Sequence, residues 1–285
     1  MKKTSLPLAI LLIFYVSAYC QTEPVTRVLQ KTQSSSVNTG KTIEDIKLNT
    51  IKTSRIPGLE IPEIKPGEKI ISHTGYSLVY NEKHEQASWV AYELTRAETK
   101  SVVARKNNFI TDPKVETGTA DDNDYIGSGY DKGHLASAAD MCWSSTAMSE
   151  SFYYSNMSPQ KKGFNRGIWK KLEVQVRKWA VENNSVYIVT GPVLTSGLPS
   201  IGPDKVSVPK YYYKVILDYT EPDIKGIGFV IPNASSSQPL QSFAMTIDSV
   251  EKITGINFYT ALPDNQENLI ESTLCIKCWS WPGEK

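Results

Sequence analysis

Apolar segments of two different periods run along this chain in an order that restricts its fold. Tyr76-Ser-Leu-Val-Tyr80 alternates like a strand, and residues 87–94, with Trp89, Val90 and Tyr92, form a second strand candidate. Residues 105–130 are polar and turn-rich and read as loop. From Asn165 to Val181 the period changes: Ile168, Leu172, Val176 and Trp179 stand at i, i+4, i+8 and i+11 with charges between them, which predicts an amphipathic helix. Residues 186–189 read as a buried strand stopped by Gly191-Pro192. Residues 206–217 and 227–231, rich in Val, Ile and Tyr, read as further strands. Residues 248–254 read as a short helix ending at Gly255. A doubly wound parallel sheet needs a helix between successive strands, and here strands follow strands. The expected class is α+β, with a central antiparallel sheet and flanking helices.

The N-terminal residues are of another character. Lys2 and Lys3 precede a mostly apolar run from Leu6 to Val16, broken by Pro7 and closed by Ser17-Ala18-Tyr19-Cys20. This is the layout of a secretory signal peptide over residues 1–20, cleaved after Cys20 and short for a membrane span. A lipid-modified Cys20 is the rival reading, and Tyr19 stands against it, where a lipoprotein signal carries a small residue. Residues 21–57 are expected to form a flexible leader, being rich in Ser, Thr, Lys and Gln and poor in aromatics. One folded domain is expected over residues 58–285. The expected location is secreted or periplasmic, with no stable membrane insertion after cleavage.

Loss of Lys2 and Lys3, with no acid lost, moves the formal net charge from +1 to −1. A globally basic nucleic-acid binder is thereby excluded, so any such contact must come from a local basic cleft. Cys142, Cys275 and Cys278 would remain, enough for one internal disulfide and a spare thiol. Cys275-Ile-Lys-Cys278 is a lone CxxC, and the chain has only His73, His84 and His134 as histidines, so structural zinc is not expected. A local disulfide and two unpaired thiols both fit the pattern.

Chemistry concentrates in residues 125–177. His134 follows Lys132 across Gly133, which allows close backbone approach. Its imidazole titrates near neutrality and can take a proton from water. Asn156 and Asn165 are amides in a polar stretch, and an amide carbonyl is a hard oxygen ligand for Mg²⁺ or Ca²⁺. On a regular helix Glu173 lies about 80° around from Asn165, so both point broadly to one side. Arg177, one turn further, can meet a phosphate with its planar fork. Taken singly, each has a plain explanation: a structural histidine, a helix N-cap, a solvated glutamate, a surface arginine.

The ordered string is more specific than its parts. Asp131-Lys132-Gly133-His134 continues as Leu135-Ala136-Ser137-Ala138-Ala139-Asp140-Met141. Ser155-Asn156-Met157-Ser158-Pro159-Gln160 follows, then Phe164-Asn165-Arg166-Gly167-Ile168-Trp169 and Leu172-Glu173. Upstream stand Arg105, Phe109 and Asp112-Pro113; downstream stands Thr190-Gly191-Pro192. This series resembles the DNA/RNA non-specific endonuclease family, a branch of the ββα-metal finger nucleases with an Asp-Arg-Gly-His motif, from about residue 58 to near residue 262. The resemblance implies an Mg²⁺-dependent endonuclease on DNA and RNA, other divalent cations being possible, with a ββα-metal finger site. In it His134 would be the general base and Asn165 the one direct protein ligand of the metal, with waters completing the shell. Glu173 would hold a metal-bound water, and Asn156 would support the histidine or the substrate. Arg105 and Arg177 would hold phosphate oxygens or the leaving side, and Lys132 would take the place of the motif arginine.

Two departures stand out. Lys132 keeps the charge of the arginine but loses its bidentate fork. Ser137 stands where the family often has proline. The chemistry is coherent: the histidine supplies a nucleophile, a Lewis acid offsets charge on phosphoryl and leaving oxygens, and phosphate contacts without base contacts leave cutting sequence-blind. Lys161, Lys162, Arg166, Lys170 and Lys171 make a local basic patch able to follow the backbone. Phe152, Tyr153, Tyr154 and Tyr211 to Tyr213 are expected mostly in the core and not stacked on bases. Two rivals are a catalytically weak or inactive nucleic-acid-binding protein on the same fold, which Lys132 keeps alive, and a phosphodiesterase for small nucleotides, which would need a deeper closed pocket.

Overall fold

The computed structural model describes Arg55–Gly283. The expected signal peptide, and the expected leader up to its last three residues, lie outside the described residues. The strands are β1 (Ile70–Ser72), β2 (Ser77–Asn81), β3 (Gln86–Thr95), β4 (Tyr130–His134), β5 (Met157–Lys161), β6 (Ser185–Pro192), β7 (Ser200–Ile201), β8 (Val206–Ser207), β9 (Tyr211–Asp218), β10 (Lys225–Pro232) and β11 (Ala244–Met245). The α-helices are α1 (Asp122–Tyr125), α2 (Ser145–Glu150), α3 (Lys170–Glu182), α4 (Ile247–Thr254) and α5 (Asp264–Ser272). Seven strands make one sheet in the order β1-β2-β3-β6-β9-β10-β11, and every neighbouring pair is antiparallel. The α+β expectation therefore holds.

The two-residue period of the strands separates two layers. On β10, Ile227 and Phe229 point into the core shared with α3, where Phe229 stacks on Trp179 at 6.2 Å. Gly226 and Gly228 point the other way: a Cβ on Gly226 would meet Ile247 at 2.6 Å and one on Gly228 would meet Val250 at 2.5 Å. Helices α4 and α5 thus press on one face of the sheet and α3 on the other. The apolar stripe read from the sequence is buried: Ile168, just before α3, and Leu172 and Trp179 on it are 0% exposed, and Val176 is 1% exposed. Each such side chain contributes about 1.5–3 kcal/mol of burial. Trp179 is further enclosed by Trp279 at 4.6 Å and Trp281 at 5.2 Å.

Several expectations need correction. The single strand expected over 206–217 is two, β8 and β9, because Val208-Pro209-Lys210 intervenes and Pro209 has no N–H for a ladder. The single regular helix from Asn165 to Val181 is also two pieces. Phe164–Trp169 forms a wide π-type turn, and Gly167, at φ −104° and ψ −109°, breaks it from α3. The 80° offset between Asn165 and Glu173 therefore does not apply. The loop expected over 105–130 holds the short α1, and α5 lacked an apolar stripe clear enough to be read. Helix α4 stops where expected, at Gly255 with φ 68°. Cys275 and Cys278 form a disulfide, and Cys142 is a buried free thiol. No helix of the described residues is long and apolar enough to cross a membrane.

Candidate active site

Strands β4 and β5 form a separate two-stranded ladder that leads into the wide turn and α3, giving a ββα finger. Gly133 faces Ser158 in this ladder, and a Cβ there would lie 2.2 Å from the side chain of Gln160. Any larger residue there would have to displace the buried Gln160 side chain. The finger is tied to the sheet by polar groups buried beneath it. The Ser158 hydroxyl bonds Gln86 and Tyr212, and the Tyr212 hydroxyl donates to the Pro159 carbonyl at 2.9 Å. Asn233 donates to the carbonyls of Pro159 and Pro209.

His134 ends β4 and is 8% exposed. Its ring meets Phe152 edge-on at 4.8 Å and Phe109 at 5.9 Å. Burial, with the nearby charge of Arg105 second, pushes its pKa down to about 3, so the ring is neutral at physiological pH. Nε2 is shut away from solvent without a hydrogen-bond partner, which leaves Nδ1 as the nitrogen that water can reach. Trp169 Nε1, at the end of the wide turn, donates to the His134 carbonyl at 3.4 Å and ties strand to helix.

Asn165 sits on the wide turn, half-buried. Its Nδ2 donates to Asp131 Oδ2 at 3.0 Å, and Asp131 also takes two hydrogen bonds from Arg166, both 2.8 Å. Burial raises the Asp131 pKa, but the bonds from Arg166 and Asn165 outweigh it and hold the carboxyl below its usual value. With its NH₂ group committed to a carboxylate, Asn165 presents Oδ1, which takes part in no hydrogen bond. A hard oxygen of fixed orientation and free lone pairs fits a divalent cation. Asp131 is thus a positioning residue for Asn165, a role that the sequence did not suggest.

Glu173 and Arg177 follow on α3. Burial raises the Glu173 carboxyl, with the Lys214 ammonium pulling the other way; Lys214, on β9 and 1% exposed, is lowered by burial. Lys214 Nζ lies 4.9 Å from the Trp169 ring and 3.5 Å from the Leu135 carbonyl, directly after His134. Arg177 Nη1 donates to Asp140 Oδ1 at 2.6 Å, and Asp140 accepts from the Tyr92 hydroxyl at 2.7 Å. One face of the Arg177 fork is therefore braced from the sheet. Arg105 is exposed, bonded to Asn107 at 3.0 Å and stacked over Phe152 at 5.0 Å. Its charge acts on both His134 and Glu173.

Asn156 and Lys132 are both engaged within the protein. Asn156 is 0% exposed, accepts from the Ala136 N–H at 2.8 Å and donates to the carbonyls of Ala136 and Ser151, both 2.9 Å. Its amide is fully used in holding the chain just beyond His134, so it supports the histidine and leaves nothing for substrate. Lys132 lies over the Phe109 ring at 4.0 Å and pairs with Asp122 of α1. Asp112 takes the Ser155 hydroxyl at 2.6 Å and lies 2.8 Å from His73 Nε2, anchoring the segment that carries Arg105 and Phe109. His84 is buried against Ser207 and belongs to the scaffold. Phe152, Tyr154, Tyr212 and Tyr213 are at most 2% exposed and are core residues. Lys161, Lys162, Arg166, Lys170 and Lys171 are all exposed along the finger.

Known proteins are similar to this chain in sequence and fold. A nuclease of Syncephalastrum racemosum is 31% identical, over 94% of this chain and 88% of its own length. Mitochondrial nuclease EXOG of Danio rerio is 36% identical over 68% of this chain, and the match spans only 62% of that relative's length. Human mitochondrial endonuclease G is 33% identical over 66% of this chain and 68% of its own. The solved structure of an EndoG/EndoGI complex superposes with a TM-score of 0.68 at 30% identity, covering 76% of this chain and 96% of that one. The family model for DNA/RNA non-specific endonucleases matches residues 61–265, which take in the sheet strands, the finger and every site residue above. The chain belongs to the DNA/RNA non-specific endonuclease family.

Proposed function

We propose that this protein is an endonuclease that hydrolyses phosphodiester bonds in DNA and RNA with little sequence preference, and that it depends on a divalent cation, Mg²⁺ first among the candidates. The observation that carries this reading is the finger itself. It presents a neutral imidazole with Nδ1 toward solvent and an amide whose free Oδ1 is fixed by Asp131. His134 takes the proton of the attacking water at Nδ1, and Phe109 and Phe152 keep the ring in place and unprotonated. Arg105 and Arg177 neutralise charge that grows on the phosphoryl oxygens. A divalent cation would be held by Asn165, and Glu173 would hold one of its waters; the ion would supply Lewis-acid stabilisation of those oxygens and of the leaving group. The exposed lysines of the finger follow the phosphate backbone and do not read bases.

One observation favours the weaker reading: Lys132 is drawn to Asp122 and Phe109, so its charge is partly spent before a phosphate arrives. The pattern of residues 1–20 supports export as the route to substrate.

Purified protein is tested on closed circular plasmid and on total RNA, with Mg²⁺ and with chelator, beside His134→Ala. Metal-dependent loss of both substrates, absent in the variant, is the expected result. A folded wild type that binds DNA but cuts neither polymer with any divalent metal overturns it in favour of the binding protein.

A further inference from the structure

Helices α4 and α5, on the sheet face away from the finger, bring three carboxylates together. Asp248 and Glu251 stand three residues apart on α4, and Glu271 comes from α5. One oxygen from each lies within 4.8 Å of the other two. We propose that Asp248, Glu251 and Glu271 form a second cation site, distinct from Asn165, that binds a hard divalent ion of Ca²⁺ size and staples α4 to α5.

Glu271 carries the inference beyond a mere acidic cluster. It is 4% exposed, and its Oε1 is buried with no hydrogen-bond partner. A carboxylate placed so is costly unless something else satisfies it. Among the described residues no Lys, Arg or His forms an ion pair with any of the three; Lys252, beside Glu251, only tempers the local charge. Glu267 adds a further negative charge nearby. Glu251 is held in place by the Phe258 N–H, which donates to Oε1 at 2.8 Å.

Either a proton or a cation must answer this charge. Burial first, then the charges of Glu251, Glu267 and Asp248, push the Glu271 pKa up to about 9, so without a cation it holds a proton. Three carboxylates from two helices, with no rigid octahedral frame around them, suit Ca²⁺, which accepts about 6–8 oxygens in flexible geometry, better than Mg²⁺, which gives up its water reluctantly. The other positions of the Ca²⁺ shell would be filled by water.

The test is thermal unfolding of the full chain carrying Asn165→Ala, which removes the candidate active-site ligand, in CaCl₂, in MgCl₂ and in chelator. Saturating Ca²⁺ is expected to raise the midpoint by about 5 °C, and Mg²⁺ by less. Adding Glu271→Gln to the same chain is expected to abolish the shift. If that chain does not fold, Asp248→Asn, at a half-buried position, is expected to weaken Ca²⁺ binding at least tenfold by equilibrium dialysis. A folded Asn165→Ala chain with no Ca²⁺-dependent shift, or an equal shift with and without Glu271, refutes the site and leaves Glu271 as a protonated buried acid. Nuclease activity is not read in this experiment, so its outcome is independent of the function proposed above.

Discussion

Acid protonates His134 in the unfolded chain long before it does so in the folded one, and stability should show it. The folded pKa is about 3 because burial between Phe109 and Phe152 disfavours the imidazolium. The unfolded value is about 6.5. A histidine with a depressed folded pKa contributes its full stability above the unfolded value and loses it as pH falls toward the folded one. From pH 7.5 to pH 5.5 the expected loss is about 1.4 kcal/mol, and about 4 kcal/mol if the protein could be followed to pH 3. The comparison is between wild type and His134→Gln, whose side chain does not titrate. Glu271 acts in the opposite sense, its stabilisation being lost as pH rises, but it is common to both chains and cancels in the difference. Urea unfolding, followed by tryptophan fluorescence in chelator at several pH values, gives the two curves. The gap between them should change by about 1.4 kcal/mol across that window, wild type losing ground. Curves that stay parallel within about 0.3 kcal/mol would mean that the folded ring titrates normally, and the neutral, pre-organised base would have to be abandoned.

Two further outcomes follow from the same network. Asn156→Ala strips partners from the Ala136 N–H and from the Ala136 and Ser151 carbonyls; it should cost about 2–4 kcal/mol in urea unfolding, with the salt dependence of DNA binding unchanged. A changed salt slope would instead put Asn156 on the phosphate. Asp140→Asn leaves Arg177 without its buried counter-charge, and should cost about 3 kcal/mol and lower kcat more than it raises KM; unchanged stability would show that the Tyr92–Asp140–Arg177 chain is not formed.

How much of this was legible depended on whether partners lie close in sequence. The finger could be read because Lys132-Gly133-His134 and Asn165 fall within one short stretch, with a glycine where the Gln160 side chain crowds β4. The stripe from Ile168 to Trp179 was legible because helical period and burial coincide there. What braces the site was not. Lys214 sits in the middle of a strand, where a lysine ordinarily signals a solvated face, yet this one is buried under Trp169. Asp131 and Asp140 stood in the quoted motif without roles, since a carboxylate's partner is set by the fold: Asn165 for one, Arg177 for the other. The wide turn at Gly167 escaped too, because i, i+4 spacing persists through it while the backbone does not.

The helix that bears Glu173 and Arg177 is finished by residues far downstream. Both Gln175 and Trp179 donate to the Ser280 carbonyl, at sequence separations of 105 and 101, and Trp279 and Trp281 close over Trp179. During synthesis that helix leaves the ribosome about a hundred residues before its cover does. A nascent or truncated chain lacking Trp279–Trp281 therefore keeps Trp179 open to water, and the helix that carries Glu173 and Arg177 waits for that segment to be covered.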